Sequence, residues 1–397
     1  MRSPLPGERG ERNYPSALAA AYLAGRRVWS AAVLMAALLV AAGALPLVAG
    51  ALPASPRGHR LSAIAAPAMS SRSAMAAMSG LQNPRQLVVV GSINADVYLE
   101  VPRLPGPGET LAASADPRVL PGGKGANQAA AAALLGGGCQ MIGQVGASDT
   151  LGPEMLAHAQ ACGVDTSLVT RHPTATTGQA YIILQSSGEN SIIIVGGANQ
   201  QWPEMPLSEA ALEAVSRASC LLLQCEIPER VNVAAATAAR AAGVPVVLDV
   251  GGAEEELSAE LLALCTCVSP NESELARMTG MPTDDEKQVI AAARTLFKHA
   301  GISEVVVKLG SRGSMRVGSN AEVLRQIAFE VPTVVDTTGA GDCFTAAYAV
   351  ACAEGCDAKV ALRFATAAAS LSVQSKGAMT SMPARSAVDE LLRRTPL

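Results

Sequence analysis

From residue 86 onward the chain alternates short, uninterrupted apolar runs with longer stretches whose apolar positions recur at helical spacing. Residues 87–90 read Leu-Val-Val-Val and end at Gly91. A strand with no polar alternation has both faces covered, as in a parallel sheet. Comparable runs recur at 140–143, 220–223, 244–250 and 304–309. Helical patterns fall at 127–135, 151–162, 229–242, 286–300, 341–353, 359–373 and 387–393. Strands alternating with helices of this length predict an α/β sandwich built on a mainly parallel sheet, with helices on both faces.

Two segments break the rhythm. Residues 97–121 follow the first strand with extended sequence rich in Pro and Gly, where a helix would be due. Residues 178–196 hold two β-type runs, 179–184 and 191–195, joined by Ser-Ser-Gly-Glu-Asn at 186–190, a hairpin signal. Neither belongs to a strand–helix repeat. Together they predict a small separate sheet, a lid over a site at the carboxyl ends of the parallel strands.

Composition changes the picture mainly at the N-terminus. The first 85 residues carry nine Arg, no Lys and two acids, a charge of +7, against −4 for the whole chain of 397, which leaves −11 on the remainder. An acidic catalytic portion argues against general nucleic-acid affinity, which depends on neutralising phosphates. Between Glu11 and Asp96 no acid occurs, while Arg26, Arg27, Arg57, Arg60, Arg72 and Arg85 are scattered among Ala and Ser. That bias resembles an organelle transit peptide. An uncharged stretch at 28–56 lies inside it, with an apolar run at 31–45. Three readings stay open: a signal-type region followed by a transit-like one, a single long transit peptide, or a retained membrane anchor. Ala is weakly hydrophobic and Pro46 interrupts the run, which disfavours an anchor and any stable membrane association after processing. Residues 1–85 are thus expected to be a removable targeting arm, with the plastid or chloroplast as the favoured destination ahead of mitochondrion or cytoplasm, and 86–397 the functional domain. The nine Cys include no Cys-x-x-Cys pair and only four His accompany them, which favours buried reduced thiols over a zinc site.

The most informative string is Val-Asp-Thr-Thr-Gly-Ala-Gly-Asp-Cys-Phe at 335–344, followed by an Ala-rich helical pattern. Glycines just before a helix let backbone N–H groups converge, and the helix N-terminus adds partial positive charge. Gly339, Ala340 and Gly341 would then form an anion hole for a phosphoryl group in flight. Asp342, in the first helical turn, would accept a proton from an attacking hydroxyl. Gly-Ala-Gly-Asp taken by itself is equally a helix start with Asp as a cap.

With its flanks, the string resembles the C-terminal signature of the ribokinase family of sugar and nucleoside kinases. Pro-Gly-Gly-Lys-Gly-Ala-Asn-Gln-Ala at 121–129 resembles the N-terminal signature of the same family. The resemblance covers essentially all of 86–393. It implies a ribokinase-like three-layer sandwich with a β lid that also serves as a dimer contact. It further implies ATP-dependent phosphorylation of a sugar with Mg²⁺, and K⁺ as a monovalent activator. Within the family, features of the pentose-phosphorylating members imply ribose as the acceptor through its 5-hydroxyl.

The resemblance carries roles to individual positions. Asn94, Asp96, Gly122, Gly123, Lys124, Asn127 and Glu226 would form the sugar site, with Asp342 as the base. Asp96, at the end of the first strand, could accept from two adjacent hydroxyls; it could also be a loop cap. Asn271, Lys308, Gly310, Ser311, Gly313, Gly341 and Thr366 would bind ATP, and Glu274 would act on Mg²⁺ through its waters. Residues 269–272 also read simply as a helix N-cap. K⁺ would lie among Asp336, Thr338, Ser372, Ser375, Gly377 and Ser381, partly through backbone carbonyls. No Gly-x4-Gly-Lys-Ser/Thr loop occurs, so phosphate binding rests on the 339–342 turn. One departure stands out: many relatives have Asn-Pro-Ala-Pro after the mid-sheet strand, and this chain has Asp-Val-Gly-Gly at 249–252, to which no role is assigned.

The rival readings are a sister kinase for fructose, a keto-deoxy sugar acid or a nucleoside such as adenosine, and a catalytically silent plastid scaffold. Four Phe, five Tyr and two Trp offer little to stack on a nucleobase, and Gly339, Gly341 and Asp342 are intact, which disfavours a silent scaffold.

Overall fold

The computed structural model describes residues 86–395, apart from 188 and 254. The arm at 1–85, with its expected hydrophobic and transit-like segments, lies outside the described residues.

The first apolar run forms β1 (Gln86–Val90), an interior strand third from one edge of a nine-stranded sheet ordered β13-β12-β11-β10-β9-β8-β1-β4-β5. On one side it pairs in parallel with β4 (Gly138–Gly146), which pairs with β5 (Val164–His172). On the other side it pairs in parallel with β8 (Cys220–Leu223), followed outward by β9 (Val246–Asp249), β10 (Cys267–Ser269) and β11 (Glu304–Lys308). The edge is an antiparallel hairpin, β12 (Ser314–Gly318) and β13 (Val323–Gln326).

Strand β1 shows why its sequence does not alternate. Leu87 and Val89 enter one buried cluster, Val88 and Val90 the other. The first cluster is covered by α1 (Lys124–Leu134), α2 (Leu151–Ala161), α8 (Ala340–Ala353), α9 (Ala358–Ser372) and α10 (Arg385–Arg394). The second is covered by α3 (Glu209–Arg217), α4 (Glu229–Ala241), α5 (Ala259–Leu264), α6 (Glu272–Thr279) and α7 (Glu286–Thr295). The predicted sandwich is therefore present. Alanine on the facing sides of α1 and α8 leaves both helices almost wholly buried, since small side chains let helices approach closely at native density.

The two irregular segments form the expected second sheet. Its order is β3-β2-β6-β7, from β2 (Asn94–Val101), β3 (Arg118–Gly122), β6 (Gly178–Gln185) and β7 (Asn190–Val195). Several boundaries differ from the pattern reading. The 286–300 helix ends at Thr295 and tightens into a 3₁₀ turn, Leu296–Lys298. Edge strands β5 and β13 gave no apolar run, because edge strands keep polar residues on an open face. The three-residue β10 is too short to show one. The buried β12 carries Ser314 and Arg316, which pair with Thr366 and Glu304. Among the described residues no helix is long and apolar enough to cross a membrane.

Chain order sets where a ligand fits. After β1 the chain builds outward through β4 and β5, then returns to the other side of β1 for β8 to β11. Strand order reverses between β1 and β8, so a crevice opens at their carboxyl ends.

Candidate active site

A cavity of about 580 Å³ lies at that reversal, between the lid sheet and the turn before α8. Asn94, Asp96, Gly123, Lys124, Asn127, Glu226 and Asp342 all line it, as do Asp336, Thr338 and Gly377. The structure thus brings together residues from five separate stretches of sequence.

Asp342 sits in the first turn of α8, whose N-cap Gly339 has φ 77°. A Cβ at Gly339 would also lie 2.9 Å from Ala378, so both conformation and space require glycine. The Ala340 N–H is taken by Thr337 O at 3.2 Å. The N–H groups of Gly341 and Asp342 have no carbonyl four residues back within the helix, so these two are the donors an anion would meet. Of the expected hole residues 339–341, Ala340 thus spends its N–H within the turn.

The Asp342 carboxylate is only 4 % exposed. Asn127 Nδ2 donates to its Oδ2 at 2.9 Å and Gln128 Nε2 to its Oδ1 at 3.3 Å. Burial pushes its carboxyl above the ordinary range; the Lys124 ammonium opposes that, and Asp249 and Glu226 add to it. A raised carboxylate is a better proton acceptor while still ionised near neutrality. Asn127 Oδ1 is buried with no protein partner. Asn127 thus steers the base with one atom and offers an unmet acceptor with the other.

On the sugar side, the Asp96 carboxylate lies over Gly122. A Cβ there would come within 2.2–2.4 Å of its oxygens, which explains the glycine. Burial, then the charges of Glu226 and Asp342, lift the Asp96 carboxyl to about 7, against the pull of Lys124. Glu226 Oε2 accepts from Ser92 Oγ at 2.6 Å and from the Lys124 N–H at 3.0 Å, tying β1, β8 and α1 at one point. Sequence reasoning missed Asn199. Its amide donates to Asn94 Oδ1 (2.7 Å) and Ile93 O, and accepts from Ile93 N, which leaves Asn94 Nδ2 to donate toward the cavity. A lone Asn on a 3₁₀ turn (Gly197–Gln200) carries no motif that would have revealed it.

Of the expected nucleotide residues, Asn271, Lys308, Gly310, Ser311 and Gly313 gather at the ends of β10 and β11, while Gly341 lies in α8 and Thr366 in α9. Asn271 caps α6 in a reciprocal box with Glu274 and bridges in parallel to Lys308. The turn Gly310–Arg312 and Gly313 (φ 94°) close back on β13, with Ser311 on its exposed side. Thr366 is buried in α9, its hydroxyl on Ser314 Oγ and Leu362 O. In the expected K⁺ cluster, Asp336 accepts from Thr338 N and Oγ1 and from Gly377 N, joining the loop before α8 to the segment after α9. The hydroxyls of Ser372 and Ser381 are turned onto Ala369 O and Ala378 O. The Ser375 N–H points at Ser372 O.

This constellation, a buried aspartate at a glycine-capped helix start facing a polar crevice under a β lid, fits a phosphotransferase acting on a small hydroxylated acceptor. The chain matches the pfkB family carbohydrate kinase model over residues 84–385. A ribokinase of Arabidopsis thaliana is 46% identical over 342 residues, 85% of this chain and 88% of the relative. A ribokinase of Haemophilus influenzae is 37% identical over 310 residues, 78% of this chain and 98% of the relative. The solved structure of Arabidopsis thaliana ribokinase complexed with ribose and ATP matches with a TM-score of 0.74 at 47% identity, over 78% of this chain and 99% of that one. The chain belongs to the pfkB family of carbohydrate kinases, as its two signatures implied.

Proposed function

We propose that the chain transfers the γ-phosphoryl group of ATP to O5 of D-ribose, giving ribose 5-phosphate and ADP. The observation that carries this reading is the convergence of Asn94, Asp96, Asn127 and Glu226 on one cavity with Asp342, which Asn127 touches. Two carboxylates and two amides suit the adjacent hydroxyls of a pentose ring. The ribokinase relatives and the ribose- and ATP-bound structure support the same acceptor and donor.

In this mechanism ribose is held by Asn94, Asp96, Gly122, Gly123, Lys124, Asn127 and Glu226, and the lid excludes water. Asp342 takes the proton of the 5-hydroxyl as that oxygen attacks in line. The N–H groups of Gly341 and Asp342 stabilise charge on the transferring group. Mg²⁺ bound to ATP would supply further charge neutralisation. Among the described residues no three His, Cys, Asp or Glu converge to hold a metal directly. Glu274 spends Oε2 on its own N-cap, at 2.7 Å from Asn271 N. Its other oxygen suits contact through metal-bound water. The Asp336–Thr338–Gly377 junction abuts the anion hole, which supports a monovalent cation there as the activator.

The exposed apolar side chains of β7, Ile192 to Val195, support a homodimer through the lid. The acid-free, Arg-rich arm supports a plastid destination.

A coupled ADP-release assay tests the reading, with ribose, 2-deoxyribose, fructose and adenosine in K⁺ and Na⁺ buffers. Preference for ribose with K⁺ stimulation is expected. Preference for another acceptor would overturn the roles of Asp96 and Glu226, and equal rates in both buffers would remove the cation site.

A further inference from the structure

Behind the cavity lies a charged pair that neither sugar contact nor proton transfer uses. Asp249 ends β9 and is 1 % exposed. Its Oδ2 accepts from Lys308 Nζ at 2.9 Å, Thr345 Oγ1 at 2.8 Å and Gln128 Nε2 at 3.3 Å; its Oδ1 accepts from Gly251 N at 3.0 Å. Burial alone would raise the Asp249 carboxyl, but the ammonium groups of Lys308 and Lys124 outweigh it and hold it below the ordinary range. Gln128 is itself oriented, because Gln224 Nε2 occupies its Oε1 at 2.8 Å. Its Nε2 therefore faces both buried carboxylates, Asp249 and Asp342.

Lys308 ends β11, and its side chain is 13% exposed. Its ammonium lies 3.7 Å from the position a Gly341 Cβ would occupy. It is thus beside the helix start that receives the transferring group. An ammonium has three N–H donors. Among the described residues, the only hydrogen bond it makes is the one to Asp249. Two donors remain for a ligand anion. A buried ion pair is weak as a stabilising device, since desolvation offsets most of its attraction.

We propose that Lys308 is a γ-phosphoryl ligand, and that Asp249 is the positioning residue that aims it. This rests on the kinase reading above and assigns a role to the Asp-Val-Gly-Gly segment. The pair brings a fixed cation to the anion hole in addition to any metal, and the lysine stem packed on Gly341 sets its height over the 341–342 amides. Charge on the leaving and transferring oxygens meets the ammonium without rearrangement.

The test uses the full chain and two probes, ADP and the non-hydrolysable imido analogue of ATP, titrated by calorimetry with Mg²⁺ and no sugar. Lys308→Met should lose roughly 10-fold or more in affinity for the imido analogue and less than about 2-fold for ADP. Its kcat should fall by about 10- to 100-fold with the sugar KM unchanged. Asp249→Asn should show the same selective loss at a smaller size. The Lys308→Met/Asp249→Asn protein should be no worse than Lys308→Met, because Asp249 acts through the lysine. If Lys308→Met does not fold, Lys308→Gln/Asp249→Asn removes the pair without stranding a charge and gives the same nucleotide readout. Equal losses for both nucleotides, no loss, or multiplicative effects of the two substitutions would overturn the proposal. Failure to phosphorylate ribose, with the selective loss intact, would sink the sugar reading alone; a wild-type chain that binds neither nucleotide overturns both.

Discussion

Asp342 and Asp96 are both buried carboxylates, yet their surroundings prepare them for different work. Asp342 keeps donors on both oxygens, from Asn127 and Gln128, so its direction is fixed while it waits for a proton. Asp342→Asn should keep the fold and lower kcat by about 10²- to 10⁴-fold; an ADP-release assay returning near-normal turnover would remove it as the base. Asp96 receives no such donors and titrates near 7. In the unfolded chain its carboxyl ionises near the ordinary value of about 4. Between those two pH values the unfolded chain is ionised and the fold is not, so stability falls as pH rises through that window and stays reduced above 7. Asp96→Asn should therefore raise the melting temperature at pH 8 but hardly at pH 4, a gain on the order of 2–4 kcal/mol. The same substitution should raise the sugar KM at least 10-fold, since a sugar hydroxyl loses a charged acceptor. For the wild type, the sugar KM should climb as pH drops below about 7 and Asp96 takes up a proton. A pH-independent KM would contradict that. Gly122→Ala should act like a weaker Asp96 variant, because the added Cβ would displace the carboxylate.

At the scale of elements, the lid is the part whose sequence reads least like the rest. Strand β7 pairs only with β6, and Ile192, Ile193, Ile194 and Val195 all remain exposed. Ile192 and Ile194 face the cavity, so closure over a sugar would cover them. Ile193, 57 % exposed, points to the other side of the same strand. An edge strand left this apolar invites another sheet edge. If the proposed homodimer forms through β7, Ile193→Lys should shift it toward a monomer in sedimentation velocity, with a fall in sugar affinity if the partner steadies the lid; a dimer unchanged by the substitution would move the contact elsewhere. The lid was legible in the sequence because two segments refused the strand–helix rhythm. Strands β1, β4, β8, β9 and β11 and most helices were legible from buried apolar runs and helical spacing, whereas the three-residue β10 was not. Edge strands β5 and β13 were not, since an open face admits Asp, Thr, Arg and Gln without penalty. Nor was buried β12, whose Ser314 and Arg316 find partners on distant elements. The glycine-rich turns were readable because backbone geometry demands glycine there. Asn199, Gln128 and Asp249 were not, because a buried amide or carboxylate acquires its partner only when distant strands meet.

Taken whole, the molecule divides its charge unevenly: +7 on residues 1–85 and −11 on the remainder. Every residue of the proposed site lies between Asn94 and Ser381, and among the described residues both buried clusters span 87–388. Among the described residues, helices α1 to α10 cover both sheet faces. Folding energy of a domain comes chiefly from such contiguous apolar burial. On the proposed reading of residues 1–85 as a removable address, the described residues supply core and site. Residues 86–397 expressed alone should turn over ribose within about 2-fold of the full chain and melt within a few degrees of it. The arm's arginines should matter instead for solubility and for any anionic surface they meet. A large loss of turnover, or a melting temperature lowered well beyond that range, would mean that residues 1–85 complete the enzyme, and the reading of that segment as a removable address would fail.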